Sequence, residues 1–134
     1  MYSIEKTDWG LTLTFGGFMD AGEMRAWVNE SEEVLKDVTS GFGVLVDMRT
    51  LKPLSEEVQA VMQEGQKLYK GQGMSRSVVI LASAVVTMQF KRIAKETGIY
   101  AWERYIDSSS NANWQEKGIA WVRDTIDPDG AVAA

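Results

Sequence analysis

Residues 41–83 read GFGVLVDMRTLKPLSEEVQAVMQEGQKLYKGQGMSRSVVILAS and contain two apolar runs separated by an amphipathic segment. The runs at residues 42–47 and 77–82 are almost entirely hydrophobic, which is typical of strands buried on both faces. Between them, Ser55 is a predicted helix N-cap followed by two glutamates, and apolar residues recur at helical spacing up to Gly71. The stretch therefore predicts a strand, a crossover helix and a parallel strand in one sheet.

The residues before this unit predict a hairpin and a helix. Residues 2–15 alternate apolar and polar side chains around an interruption at residues 8–10, which indicates two antiparallel strands. Asp20, followed three residues later by Glu23, resembles a capping box. The helix that begins there is expected to end near residue 40.

The residues after the unit predict two more helices and one more strand. A helix is expected over residues 85–97, ended by Gly98. A weaker strand follows at residues 104–107, and Asn113 is the predicted N-cap of the last helix.

The resulting order of elements is ββαβαβαβα. It predicts a single-domain α/β layer sandwich with a mixed sheet, in which mainly parallel interior strands are flanked by helices. We expect one domain over residues 1–126 and a disordered tail over residues 127–134, where the sequence shows no pattern.

Composition excludes several classes of chemistry. The chain has 134 residues, a formal charge of -5, no Cys and no His, which excludes disulfides, thiolate or imidazole metal sites, and Cys-His or Ser-His catalytic groups. A pI near 4.8 argues against a nucleic-acid partner. No signal peptide or run of about 20 apolar residues is visible, so the expected location is the cytoplasm, with peripheral membrane association left open. No cofactor and no metal site are expected.

Five residues are candidates for a ligand pocket. Asp47, Ser83 and Asp107 follow or end predicted strands, so they are expected at the carboxyl edge of the sheet, where open α/β folds bind ligands. Trp9, in the hairpin turn, and Trp102, before a strand, are candidates for the border of an apolar pocket. Ordinary polar loop residues and tryptophans that cap a sheet edge would give the same pattern.

The third helix has a candidate interaction surface. At 100° per residue, Met88, Lys91, Arg92 and Lys95 fall opposite the predicted core face. An apolar side chain among three cations is typical of a surface that meets an acidic partner or an anionic membrane. A solvated helix face is the alternative.

The sequence GVLVDMRTLKPLSEEV at residues 43–58, IAWV at residues 119–122 and the order of elements resemble the SpoIIAA-like branch of the STAS family. This family of sulfate transporters and anti-sigma factor antagonists is grouped with lipid-transfer domains of the CRAL-TRIO type. In the antagonists, a helix starts with Asp-Ser-Ser-Gly, where a kinase phosphorylates a Ser. Ser55, Glu56 and Glu57 lie over Asp-Ser-Ser, so the resemblance implies carboxylates in place of the hydroxyls. A one-residue slip would bring Ser55 to the phosphosite.

We expect a non-catalytic binding or regulatory domain without catalytic residues. Its expected partner is a protein, an anionic membrane surface or a small apolar ligand, and a second copy of the chain stays open. One alternative is a phosphorylation-dependent regulator of the anti-sigma antagonist type, acting through Ser55. The other is a small enzyme that uses Asp47 and Asp107, which requires these carboxylates to converge.

Overall fold

A computed structural model describes residues 1–130 of the chain. Strands and helices follow one another in the predicted order. Their bounds are β1 Tyr2–Lys6, β2 Gly10–Phe15, α1 Ala21–Val34, β3 Gly43–Asp47, α2 Glu56–Gly71, β4 Arg76–Leu81, α3 Ala84–Thr97, β5 Glu103–Asp107 and α4 Trp114–Asp124. Short 3₁₀ turns at Leu35–Asp37 and Tyr100–Trp102 follow α1 and precede β5.

The five strands form one mixed sheet in the order β1-β2-β3-β4-β5. β1 and β2 make the predicted antiparallel hairpin, and β2 to β5 are parallel neighbours, each joined to the next by one helix. The protein is therefore a single α/β domain, and the two apolar runs that predicted buried strands, β3 and β4, lie inside the sheet.

The helices cover the sheet unequally. α1, α2 and α3 pack side by side on one face, and α4 packs alone on the other face against β3, β4 and β5. Val44 of β3 therefore belongs to the larger core under three helices, and the next residue, Leu45, belongs to the smaller core under α4. In the larger core the rings of Phe15 and Trp27 meet edge to face at 4.9 Å.

Side-chain caps begin three of the four helices. The Asp20 carboxylate and the Ser55 hydroxyl accept hydrogen bonds from the amides three residues on, at 2.8 and 3.3 Å, as predicted. Ser83 caps α3 in the same way at 3.2 Å. The predicted cap at Asn113 is wrong: its side chain makes no capping bond, because its backbone (φ -97°, ψ 31°) is not extended and does not aim the amide at the first turn.

The first helix is shorter than predicted. α1 ends at Val34 and a 3₁₀ turn follows, while Val38 has extended backbone (φ -101°, ψ 128°). Val38 still packs against the larger core, so the helical spacing of apolar residues in the sequence continues past the end of the helix itself. Helical spacing alone therefore places the end too late.

An ion pair holds the start of the predicted tail against β5. Arg104 Nε and Nη2 donate to the two carboxylate oxygens of Asp127 at 2.8 and 2.9 Å, which lowers the pKa of Asp127 to about 2. Residues 131–134 lie outside the described residues. The disorder predicted for residues 127–134 therefore stays a prediction.

Gly65 allows α1 and α2 to approach each other closely. A Cβ at Gly65 would lie 2.1 Å from Trp27 Cζ3, whereas a Cβ at Gly71 would meet nothing within 4 Å. Gly65→Ala should lower the free energy of unfolding by about 1–3 kcal/mol because of overpacking. Gly71→Ala, in the same helix, should leave it unchanged or raise it by up to about 1 kcal/mol. Urea unfolding followed by circular dichroism measures both, and equal stabilities would contradict the close packing.

Candidate functional site

The three polar residues predicted at the carboxyl edge lie there, and two of them come together. Ser83 and Asp107 line one surface pocket of about 430 Å³ with Lys91 and Tyr105, whereas Asp47 is not part of it. Ser83 is the N-cap of α3. Asp47 ends β3 and Asp107 ends β5, with β4 between them. By the alternation along each strand, Asp47 lies on the same face as α4, with Leu45, whereas Asp107 lies on the three-helix face, with Tyr105.

Each of these carboxylates has its own partner. Arg49 Nε and Nη2 donate to the two oxygens of Asp47 at 3.0 and 2.9 Å. The hydroxyl and the amide of Ser109 donate to Asp107 at 2.5 and 2.9 Å and hold its pKa below the usual range, opposite to the shift expected of a general acid. The arrangement does not supply the converging pair that an enzyme using Asp47 and Asp107 would require.

The two candidate tryptophans lie at the opposite edge of the sheet. Trp9 is in the hairpin turn before β2, and Trp102 ends the turn before β5. Both pack against the smaller core. A strand of this length separates them from the carboxyl edge by roughly 16 Å, so the five predicted pocket residues do not form one site.

The predicted surface on α3 divides into two parts. Lys91 Nζ lies 5.3 Å from the ring centre of Tyr105 and Lys95 Nζ lies 4.8 Å from that of Tyr100, so both cations face β5. On the other side, the guanidinium of Arg92 donates to Gln59 on α2 and lies 4.0 Å from Glu96. Met88 is 71% exposed.

The carboxyl edge exposes an apolar set of which the sequence analysis found only Met88. Met1, Phe18, Val85 and Met88 are each between 54 and 76% exposed. We call these four side chains the apolar crown. Phe18 follows two glycines in the loop before α1, where helical or strand periodicity carries no signal.

Hydrogen bonds join the segments that carry the crown. Gly17 N donates to Thr50 O, and Lys52 N donates to Gly17 O, both at 3.0 Å. Leu54 N donates to Gln89 Oε1 at 2.9 Å, and Gln89 Nε2 donates to Leu54 O at 3.0 Å. The loops before α1 and α2 are thus tied to each other and to the first turns of α3.

Acidic side chains lie on the Phe18 side of the crown, at the starts of α1 and α2, whereas the first turn of α3, which carries Val85, has none. Asp20 begins α1 two residues after Phe18, and Glu56 and Glu57 are in the first turn of α2. All three are exposed, and in the described part of the chain none makes an ion pair. Lys52 is an exposed cation in the loop between them.

A second feature that the sequence analysis missed is the buried carboxylate of Glu103, which is only 5% exposed. Ser77 Oγ donates to one carboxylate oxygen at 2.9 Å and Tyr105 OH donates to the other at 2.5 Å. Burial raises the pKa of Glu103 to about 7, although these hydrogen bonds act in the opposite direction. Within residues 1–130 no cation pairs with it.

Glu103 and Ser77 line a small cavity in the larger core. Its volume is about 30 Å³, and its other walls are mainly apolar side chains from the sheet and from α1, α2 and α3. Trp27 also lines it, and the buried Trp27 Nε1 makes no well-formed hydrogen bond among residues 1–130, with the Tyr69 hydroxyl as a weak partner. In the strand Glu-Arg-Tyr-Ile-Asp, the alternation shared by Glu103 and Tyr105 was the available signal for this burial.

A scan against models of known protein families finds no match for this chain, and no curated protein matches it. The resemblance to the SpoIIAA-like branch of the STAS family therefore stays a prediction that rests on residues 43–58, residues 119–122 and the order of elements. The function has to be inferred from the contacts, burial and charges of the chain's own residues.

Ser55 has a structural role that predicts the effect of its removal. Its hydroxyl accepts from Val58 N at 3.3 Å, and Glu56 and Glu57 already place negative charge near the positive end of α2. Ser55→Ala should lower the free energy of unfolding by about 1 kcal/mol, which thermal unfolding would detect. We predict no constitutive phosphorylation switch here. Stoichiometric phosphate on Ser55 in protein isolated from cells would contradict this.

Glu103→Gln should change stability in a pH-dependent manner. Folding raises the pKa of Glu103 from 4.5 to about 7, so the folded protein keeps a proton that the unfolded chain releases between these values. This contribution to stability is complete below about pH 4.5 and falls by about 3 kcal/mol as the pH rises through 7. The variant lacks this titration, so its unfolding free energy relative to the wild type should rise by about 2–3 kcal/mol between pH 5 and pH 8.

Urea unfolding at the two pH values measures this difference. Glu32→Gln, at an exposed position of α1, is the matched control and should shift stability by less than about 0.5 kcal/mol at either pH. A difference between Glu103→Gln and the wild type that is the same at pH 5 and pH 8 would contradict the raised pKa.

Proposed function

We propose that this chain is a non-catalytic binding domain that docks a protein partner through the apolar crown. The observation that carries the proposal is the exposure of four large apolar side chains on neighbouring segments of one edge of the sheet. Exposed apolar side chains rimmed by polar residues mark interaction sites more often than single scattered ones do.

The crown has the composition of a protein interface. Aromatic residues and Met are enriched at the centres of such interfaces, and the crown contains Phe18 together with Met1 and Met88. A Met side chain is unbranched and adapts its shape to a partner. Phe18, the most exposed of the four at 76%, is the expected anchor.

Charge favours a basic partner surface. Asp20, Glu56 and Glu57 lie on the Phe18 side of the crown, and the chain as a whole carries -5. A partner whose apolar site is surrounded by Lys and Arg would be electrostatically complementary, and association would be faster at low salt.

The same charges argue against an anionic membrane as the main partner, because acidic headgroups would meet the acidic rim. Of the α3 cations, Lys91 and Lys95 lie over Tyr105 of β5 and Tyr100 of the turn before it, and Arg92 is held by Gln59 and Glu96. Within residues 1–130, no helix is long and apolar enough to cross a membrane. Docking at a membrane is therefore the second candidate, carried by the exposed apolar side chains alone.

A photo-crosslinking amino acid at position 18 identifies the partner, and the same amino acid at position 126 is the control. Ile126 is exposed to 60% but lies after α4, at the opposite edge. With the captured protein purified, Phe18→Ser combined with Met88→Ser should weaken binding at least about 10-fold in titration calorimetry, because two apolar anchors are lost. Ile126→Ser should bind as the wild type does.

Two further measurements separate the alternatives. Glu56→Gln with Glu57→Gln should slow association and reduce its salt dependence, which tests the acidic rim. Co-sedimentation with phosphatidylcholine vesicles, with and without phosphatidylserine, tests the membrane, and sedimentation velocity tests a second copy. Equal affinity of the Phe18/Met88 variant and the Ile126 variant for the partner would refute the crown as the docking surface.

A further inference from the structure

The buried Glu103 carboxylate is unusual because no cation within residues 1–130 pairs with it, so above its pKa it is an unpaired buried charge. A charged group in a core is costly unless it is paired, and Glu103 receives only two hydroxyl hydrogen bonds. A carboxylate oxygen accepts more than one hydrogen bond, so the site has acceptor capacity left after Ser77 and Tyr105 have donated. Glu103 also lines the small cavity in the larger core.

The cavity has a second incompletely satisfied polar group. Trp27 is 2% exposed and lines the same cavity as Glu103, and its Nε1–H makes no well-formed hydrogen bond within residues 1–130, with the Tyr69 hydroxyl as a weak partner. Buried polar groups of native proteins are nearly always satisfied, so a weakly bonded donor calls for a partner. A hydroxyl both donates and accepts hydrogen bonds, so it is able to donate to the Glu103 carboxylate or to accept from Trp27 Nε1–H.

We propose that the cavity beside Glu103 is a binding site for a small apolar molecule with a hydrogen-bond-donating head group, an alcohol or an amine, which donates to the Glu103 carboxylate. The apolar part of the molecule contacts the hydrophobic walls. This site lies inside the larger core and is separate from the apolar crown, so it does not depend on the proposed docking function.

Only a small group fits the cavity without movement of its walls. At about 30 Å³ the cavity holds a water-sized group, so a larger ligand must displace side chains. Met48, Met62 and Met74 are in its wall, and Met is the side chain that repacks most readily. Glu103 also lines a separate surface groove of about 350 Å³, together with Lys91, Tyr100 and Arg104.

The chemistry of the site predicts selectivity. An anionic head group would meet the Glu103 carboxylate without a cation to neutralise either charge, so a carboxylic acid is disfavoured. An ammonium would supply the cation that Glu103 lacks, and a hydroxyl would supply a donor. The expected order of affinity is therefore alcohol or amine above carboxylate.

The test uses three six-carbon probes, 1-hexanol, hexylamine and hexanoate, with the full chain. The Trp27 indole signal, assigned with Trp27→Phe, is followed in ¹H–¹⁵N spectra, and thermal unfolding is measured in parallel because binding to the folded state raises the melting temperature. Hexanol and hexylamine should shift the signal saturably and stabilise the fold. Hexanoate should bind at least 10-fold more weakly.

Two variants sharpen the result. Glu103→Gln should weaken hexylamine binding at least 10-fold while changing hexanol binding by less than 3-fold, and Glu32→Gln is the exposed control. Met74→Ala enlarges the cavity and should tighten hexanol binding, with Ile126→Ala as its surface control. The proposal is overturned if no probe shifts the Trp27 signal in either the wild type or Met74→Ala, or if hexanoate binds the wild type as tightly as hexanol.

Discussion

Strands β2 to β5 lie side by side in the order in which the chain forms them, and the placement of every helix depends on this sequential order. A parallel neighbour is reached by a crossover of one hand, so three successive crossovers in one direction leave three helices on the same face. α1, α2 and α3 share that face for this reason, and α4 is the helix left to cover β3 to β5 on the other. This unequal covering produces the two cores. The larger one has Trp27 against Gly65, and the smaller one lies under α4.

The same order gathers the beginnings of all four helices at one edge of the sheet. Their loops leave the carboxyl ends of β2, β3, β4 and β5, and the antiparallel β1 brings Met1 to that edge as well. Hydrogen bonds between these loops satisfy their backbone groups, as the bonds within a helix or a sheet would do. At this edge Phe18, in the loop before α1, and Val85, in the first turn of α3, are exposed, while Asp20 caps α1 and Glu56 adds negative charge to the start of α2.

Features that depend on local chemistry could be predicted from the sequence. The apolar runs of β3 and β4 and the caps at Asp20 and Ser55 follow from residue type and spacing, and the structure contains all of them. How far apart Asp47 and Asp107 lie depends on β4, the strand between them, and no local pattern records the order of strands. The cap at Asn113 failed because backbone dihedral angles, rather than residue type, decide whether a side chain reaches the first turn.

Glu103 and the crown break local rules in opposite ways, since one buries a carboxylate and the other exposes apolar side chains. Natural sequences depart from local consistency mainly at functional sites. Domains are stable by only about 5–15 kcal/mol, so a loss near 3 kcal/mol at neutral pH from one side chain is a large fraction of the total. An apolar residue at position 103 would avoid that loss and would leave Ser77 and Tyr105 to find other partners. A carboxylate that costs this much beside a cavity is the observation on which the proposed ligand site rests.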